Sequence, residues 1–395
     1  MKKLRVVIVG GGFGGIKTAL ELADDSRFRV TLIADHSNFR YYPTLYRTAT
    51  GGREIISSIP LDEIFSGKKV HILIDRVVGL DRTSRTVKTK VGHIVGYEAL
   101  VLSIGVYTNY YGIQGLKELS FGIKTNADAQ ELKAHLHKQL LENHEPDLNY
   151  VVVGGGPSGI ELAGVLPSYL KQIAHKHRLN KQKIHVDLVE AAPRLVPRMP
   201  KDISRRITRQ LRKLGVKVYL NTTVNAQTAD ALMINNKSIR SHTVIWTAGV
   251  SNNNFFANQK FHLAKNGKVR VDHFLQSEIG IYVIGDNADT PYSGMAQTAL
   301  YDGKFVATNL KRLANKENSI PYTAKKPVYV FPAGHKWAAV LWGKVRLYGK
   351  KGWVLRSLAD LLAYHDYEPW KIATRRWAAE NDSEESCTFC ADDLR

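Results

Sequence analysis

Val6-Val7-Ile8-Val9-Gly10-Gly11-Gly12-Phe13-Gly14-Gly15 opens the chain. Val151-Val152-Val153-Gly154-Gly155-Gly156-Pro157-Ser158-Gly159 repeats its pattern in the second quarter. Both fit G-x-G-x-x-G, with an apolar run before and a helix-forming segment after. With glycine at about 7% of an average chain, two such matches in strand–turn–helix context are on the order of a 1% coincidence. The physical reading is two dinucleotide sites. Gly10 and Gly154 make the tight turn, Gly12 and Gly156 let backbone approach a pyrophosphate, and Gly15 and Gly159 let helix and sheet pack closely. The helix N-terminus then meets the phosphate charge. One chain with two dinucleotides is arranged to pass electrons between them.

Working outward, the first unit reads β-α-β, with strand Leu4–Val9, a helix from Gly14 to Ala23 and strand Arg29–Ile33. An acid near the end of that second strand takes the ribose hydroxyls. Asp35 is the favoured residue, and Ala34 is the alternative register. The loop 39–52 follows, dense in aromatics, and Ala99–Ile104 is a buried strand ending at Gly105. The second unit begins at Asn149, with a helix over about 158–170. A basic insertion leads to strand Ile184–Val189, which ends in Glu190. A carboxylate there suits an unphosphorylated ribose and repels a 2′-phosphate, so NADH is expected over NADPH, with Arg194 nearby as the opposing signal. Strand Thr243–Trp246 closes the unit and leads to the turn at Gly249. A later strand ends in Gly285-Asp286, where a carboxylate reaches a hydroxylated ligand or caps a turn. A helix over Met295–Leu313 would aim its positive end, at Ala296-Gln297, toward a bound ring.

The 395 residues suffice for two or three domains, and 44% hydrophobic content argues against wholesale disorder. The formal charge of +20 is concentrated in 171–217 and 325–376. Solvated helix faces, an anionic membrane surface or an acidic partner would each explain it. No nucleic-acid recognition module accompanies it, so nucleic acid is not expected as a partner. The two cysteines, Cys387 and Cys390, lie in an acidic tail with no strand or helix to support a redox dithiol. A disulfide framework is excluded, and a cytosolic setting fits. No run of eighteen apolar residues exists, and Met1-Lys2-Lys3 precedes the first strand rather than a signal peptide. No metal site is expected.

Beyond Lys325 the character changes. Val354, Leu355, Leu358, Leu361 and Leu362 recur at helical spacing, and Trp370, Ala373 and Trp377 form a second stripe beside Lys371, Arg375 and Arg376. Apolar stripes, tryptophans and basic flanks describe helices in a membrane interface. The other reading is helices packed on their own core or in a homodimer.

The order of these motifs resembles the two-dinucleotide-binding-domain flavoproteins, and within them the type II NADH:quinone oxidoreductases. The resemblance covers the chain to about Gly349. It is carried by the two fingerprints, Tyr42-Pro43-Thr44-Leu45-Tyr46, Ile160-Glu161-Leu162-Ala163, Gly285-Asp286, and Ala296-Gln297 with Ala299 and Gly303. It implies an α/β fold of two Rossmann-like domains, like the pyridine nucleotide-disulfide oxidoreductases, with a C-terminal amphipathic helical anchor. The implied division is an FAD domain in 1–115 and 248–325, an inserted NADH domain in 116–247, and a membrane-association region in 326–395. FAD would lie on Gly10, Gly12, Phe13, Gly14, Gly15, Asp35, Gly105, Gly285, Asp286, Ala296 and Gln297. NADH would lie on Gly154, Gly156, Gly159, Glu190 and Gly249. Glu161, Gln297 and Tyr301 would serve catalysis.

The implied activity is hydride transfer from NADH to FAD and then two electrons to a membrane quinone, without proton pumping, at the cytoplasmic face of the cell membrane. Tyr301 stands where the family's second motif glutamine falls, and Ala333-Gly334 where the family has Lys-Gly. Both departures fall where the quinone would bind. Two rival readings therefore stay open: a reductase of a soluble electron carrier such as ferredoxin or rubredoxin, and a non-catalytic FAD/NADH sensor. Sulfide:quinone oxidoreductases share the scaffold but need cysteines near the flavin, which this chain lacks.

Overall fold

The structure is a computed structural model that describes residues 3–142, 145, 148–179, 183–235 and 237–382. Cys387, Cys390 and the rest of the acidic tail beyond 382 lie outside the described residues.

Each fingerprint follows a central strand of a sheet that is parallel throughout except for the Gln276–Glu278 edge of the first. The first sheet runs in the order Gln276–Glu278, Ile281–Val283, Ala99–Leu102, Leu4–Val9, Phe28–Ala34, Val70–Ile74. The second runs Val216–Tyr219, His185–Val189, Asn149–Val153, Thr243–Trp246. The central strands read as unbroken apolar runs because both faces are covered, one by helices and the other by a three-stranded antiparallel sheet, Val77–Asp81, Thr86–Thr89 and Ile94–Gly96 in the first unit and Val224–Gln227, Ala231–Ile234 and Lys237–Arg240 in the second. Val6 to Val9 and Val151 to Val153 are at most 4% exposed. The two units have the same register: Val9 pairs with Ile33 and Val153 with Val189. Gly10 N–H then donates to Ile33 O, and Gly154 N–H to Val189 O, both at 2.8 Å.

The fingerprint helices span Phe13–Leu22 and Pro157–Lys176, so the second runs well past the expected end at about 170. The helix at Ala296–Ala314 packs on the first of them through glycine. A Cβ on Gly303 would lie 2.5 Å from Gly14 O, and one on Gly14 would lie 2.9 Å from Ile284 Cδ1. The chain leaves the first sheet through Val106–Thr108 and returns through Val250–Asn252, and these two strands pair antiparallel. The second sheet is thus inserted in the first domain, through a two-stranded neck.

The C-terminal region is built into both domains. Its antiparallel sheet, Tyr329–Pro332, Ala338–Trp342 and Val345–Gly349, adds Phe331, Ala339 and Leu341 to the core of the second. Its helices, Lys350–His365 and Trp370–Ala379, add Tyr364 and Ala373 to the core of the first, and the turn between them adds Tyr367. The second stripe read in the sequence is accordingly split. Ala373 is buried, and Trp377 donates its indole N–H to Ser357 O at 2.7 Å, while Trp370 stays exposed.

Arg376 fastens this arrangement. Its guanidinium is 2% exposed, meets Glu368 at 2.5 Å and Glu63 at 3.3 Å, and donates to Ile55 O. Removing one partner of such a buried pair leaves an uncompensated charge and costs about 3–5 kcal/mol. Arg376→Ala is therefore expected to lower unfolding free energy by that amount, read from a urea titration. A change below about 1 kcal/mol would show that the helix is not held this way.

Candidate functional site

The two glycine turns are near copies in space. Gly10 and Gly154 have φ of +112° and +113°, a region that glycine alone adopts without strain. Nothing lies within 4 Å of a Cβ built on Gly12 or Gly156, so each presents open backbone where a pyrophosphate would lie. A Cβ on Gly15 would fall 2.0 Å from Gly10 O, and one on Gly159 would fall 1.8 Å from Gly154 O. A hydroxyl locks each turn from the neighbouring strand. Ser103 donates toward Val9 O at 3.2 Å, and Thr247 donates to Val153 O at 2.7 Å. The residues present therefore fit two dinucleotides.

The turns differ in the acid that follows. Glu190 is the first residue past its strand, and its carboxylate accepts from Gly155 N–H at 2.5 Å and Ala192 N–H at 2.7 Å. In the first unit the shared register puts Ala34 at that position, with its Cβ 3.0 Å from the place of a Cβ on Gly11. Asp35 is one residue further on. Its half-exposed carboxylate faces His36 at 3.5 Å and Arg76 at 3.9 Å. The register equivalent of Glu190 in the first unit is thus Ala34, and Asp35 is the acid beside it. Arg194, the opposing signal in the second site, is committed elsewhere. It donates to Met199 O, Pro197 O and Ser204 Oγ and holds its own loop together.

Gly285 and Asp286 lie in a short 3-10 turn at the end of the first sheet, and Gly285 has φ of +65°. Asp302 holds that turn by accepting from Gly285 N–H at 3.0 Å and Tyr322 O–H at 2.7 Å. Burial pushes its carboxyl up to about 6. Gly105 is tied to the same place, its N–H donating to Asn287 Oδ1 at 3.0 Å. Phe13 packs edge-on against Phe39 at 5.0 Å and stacks with Tyr42 at 6.4 Å, so the aromatic loop folds over the first turn. Gly249, with φ of +131°, lies against Tyr111, whose hydroxyl would be 2.3 Å from a Cβ there. Lys124, which the sequence reading passed over, faces Asp286 and Asp128 from the bend before the Asn126–Glu142 helix. Burial holds its pKa below the usual lysine range, and those two carboxylates oppose the shift.

Ala296 and Gln297 begin their helix as expected, but the Gln297 amide is engaged. Its Nε2 donates to Val328 O and its Oε1 accepts from Val328 N–H, both at 3.0 Å. Gln297 thus clamps the strand that leads into the C-terminal sheet. Tyr301 lies one turn on, 5.7 Å from the Tyr322 ring, with Lys325 Nζ 4.4 Å above its own ring. Ala333 is fully buried, and Gly334 sits on the second fingerprint helix, where a Cβ on Gly164 would be 2.5 Å from Gly334 N. A lysine has no room to run through that contact.

Glu161 projects from the same helix toward the C-terminal helix Lys350–His365. Burial pushes its carboxyl up to about 8, with Arg356 and Arg47 lowering it and Asp360 raising it. Arg356 Nη1 pairs with Asp360 Oδ2 at 2.5 Å, both side chains 6% exposed, and Arg356 Nη2 donates to Pro43 O at 3.0 Å. Tyr41 O–H donates to Asp360 Oδ1 at 3.3 Å. The outward side of this helix carries Val354, Leu358 and Leu362, at 49%, 49% and 58% exposure. The helix is inside out: its ion pair faces the protein and its aliphatic residues face solvent. Leu355 and Leu361 are half-buried between the two sides.

Residues 4–303 match the family described as pyridine nucleotide-disulphide oxidoreductase. A type II NADH:quinone oxidoreductase of Staphylococcus epidermidis is 25% identical over 386 residues, covering 91% of this chain and 95% of that protein. The structure of NDH2 from Plasmodium falciparum in complex with NADH superposes with a TM-score of 0.85 at 17% identity, over 96% of this chain and 97% of that one. The sulfide:quinone oxidoreductase of Aquifex aeolicus superposes at 0.77 with 20% identity, over 94% and 92%.

Proposed function

The chain belongs to the pyridine nucleotide-disulphide oxidoreductase family, and from that premise we propose that it is an FAD-dependent NADH:quinone oxidoreductase. The observation that carries this reading is the pair of complete glycine cradles joined by one neck, beside a helix with its aliphatic side turned outward. The full-length similarity to a type II NADH:quinone oxidoreductase supports the choice of acceptor. The test is acceptor turnover: NADH oxidation coupled to a short-chain quinone and not to an acidic ferredoxin or rubredoxin.

Gly10, Gly12 and Gly15 hold the FAD pyrophosphate, and Gly285-Asp286 the chain beyond it. Gly154, Gly156 and Gly159 hold NADH, with Glu190 on its ribose. When bound, FAD supplies two-electron chemistry between the hydride donor and the quinone. The protein fixes the geometry of the partners and excludes misaligned encounters. The N-terminus of the Ala296–Ala314 helix directs a positive partial charge at the site. Gln297 secures the wall of the acceptor site through Val328, Tyr301 contributes a hydroxyl there, and Glu161 holds a proton.

NADH is the preferred donor, because a 2′-phosphate would meet the Glu190 carboxylate and Arg194 is already engaged. Glu190→Ala is expected to raise the NADPH-to-NADH ratio of kcat/KM about tenfold, equivalent to ~1.4 kcal/mol. A ratio unchanged from wild type would place the discrimination elsewhere.

Membrane seating is the second part of the proposal. No helix among the described residues is long and apolar enough to cross a bilayer. Val354, Leu358, Leu362, Trp342 and Trp370 are each exposed in the C-terminal region, a composition suited to an interfacial position at the cytoplasmic face. Because the C-terminal helices also carry domain core, deleting them is the wrong probe, and surface substitution is the right one. Replacing Leu358 and Leu362 together by Glu removes at least about 1.5 kcal/mol of transfer energy each, so binding to anionic liposomes falls on the order of a hundredfold. Flotation equal to wild type would assign this side to a homodimer contact or to solvent.

A further inference from the structure

A tyrosine lies on the glycine that ends the second sheet. The strands of that sheet run Val216–Tyr219, His185–Val189, Asn149–Val153, Thr243–Trp246. Glu190 follows His185–Val189 and would take the adenosine ribose. In an open α/β sheet the ligand crosses the carboxyl ends of the strands. A dinucleotide with its pyrophosphate at Gly156 therefore carries its other half over the end of Thr243–Trp246, where Thr247, Ala248 and Gly249 follow. Ala248 N is 2.9 Å from the place of a Cβ on Gly154, so this strand end borders the glycine turn itself.

Tyr111 closes that side. Its Cε2 and Cζ would each be 2.8 Å from a Cβ on Gly249, so the ring rests directly on the glycine and any side chain there would displace it. Tyr111 has φ of +52°, a left-handed conformation that costs energy in a bulky residue, and Gly112 follows with φ of +67°. Three hydrogen bonds hold the loop there. Tyr111 N–H donates to Asn109 Oδ1 at 2.8 Å, Asn109 N–H to Gly249 O at 3.2 Å, and the Trp246 indole N–H to Asn109 O at 2.8 Å. The adjacent tyrosine gives the contrast. Tyr110 stacks on Trp246 and packs against the core of the second domain, whereas Tyr111 meets Trp246 edge-on at 6.4 Å and stays 62% exposed. A strained backbone thus keeps a large aromatic ring out of the core and on the open side of the crevice. The fold gains little from a ring so placed, and a bound ligand would gain much.

We propose that Tyr111 is a donor-site residue whose ring, seated on Gly249, walls the nicotinamide half of NADH. The proposal rests on the second cradle being the donor site. The neck strands Val106–Thr108 and Val250–Asn252 lead from Tyr111 and Gly249 to the first sheet, so this end of the crevice is the one that opens toward the first cradle. A flat aromatic wall suits a flat ring. The adenosine half lies on the far side of the glycine turn, beside Glu190, and does not reach Tyr111.

The test is calorimetric titration of the oxidised, FAD-loaded protein with NAD+ and, separately, with ADP. ADP keeps the adenosine and the pyrophosphate and lacks the nicotinamide riboside. Tyr111→Gly is the variant of choice, because glycine takes the left-handed backbone freely and the loop should stay folded. Near-ultraviolet circular dichroism and bound-flavin absorbance check that it does. Tyr111→Gly is expected to weaken NAD+ about tenfold, the scale of one lost aromatic contact, and to leave ADP within about twofold. Tyr111→Phe keeps the ring and should bind both as wild type does. Equal weakening of NAD+ and ADP would show that the loop supports the whole cradle. Unchanged NAD+ binding would show that the ring touches no ligand. Either result overturns the proposal while leaving the donor site in place. Failure of the wild type to bind NAD+ and ADP alike would overturn the donor-site reading, and this proposal with it.

Discussion

Gly159→Ala is expected to lower kcat/KM for NADH by at least about a hundredfold while FAD stays bound. The new methyl would lie 1.8 Å from Gly154 O, in the turn that would hold the pyrophosphate, and 2.8 Å from Thr247 Oγ1, the hydroxyl that locks that turn from the neighbouring strand. Neither is the far end of a flexible side chain, so the strand–turn–helix junction must open. Opening it moves the Gly156 backbone away from the phosphates and tilts the positive end of the Pro157–Lys176 helix. A misplacement near 1 Å at a positioning element costs on the order of a hundredfold in rate. The first cradle belongs to a separate sheet, so its flavin should remain. Flavin content and NADH titration on one sample separate the two effects. Normal NADH binding in the variant would remove the second cradle as the donor site.

Glu161→Gln carries the other large expectation. A positioned proton donor contributes typically about 10²–10⁴-fold to a step that needs a proton. Oxidation of the NADH-reduced protein by a short-chain quinone is expected to slow by that range. Glutamine keeps the size of the side chain and loses its exchangeable acid proton. The pH profile gives a second reading. With the carboxyl pushed up to about 8, wild-type quinone reduction should hold at neutral pH and fall above about 8 as the proton is lost. The variant should show no such fall. The same sign applies to stability: a carboxyl raised by burial favours the fold below its unfolded pKa, and that contribution disappears as pH rises through its folded value. A variant with the wild-type rate and profile would make Glu161 a packing residue.

Much of the architecture was legible because it rests on short-range rules. The glycine spacings, the apolar runs before them and Glu190 one residue past its strand each follow from backbone geometry. What was not legible depends on register and tertiary contact. Asp35 and Ala34 differ by one residue, and only the pairing of Val9 with Ile33 shows which of them is the register equivalent of Glu190. Gln297 carries the signature of a ligand-facing amide, yet Val328, thirty-one residues away in sequence, claims both of its polar atoms. Arg356 and Asp360, at i and i+4 beside an aliphatic stripe, carry no local signal of burial. Only the packing of that helix on Tyr41, Pro43 and Glu161 shows that the polar side is the buried one. The interfacial reading of Trp370, Ala373 and Trp377 took Arg376 as a basic flank, whereas its pairing with Glu368 turns it inward.

The acceptor is the centre of the account, and stopped-flow oxidation of the NADH-reduced protein by a panel of acceptors tests it most directly. Short-chain quinones should reoxidise the flavin at or above the steady-state turnover rate, while acidic ferredoxin and rubredoxin should do so far more slowly. Reoxidation by the soluble carriers alone, or by no member of the panel, would contradict the assignment as an NADH:quinone oxidoreductase.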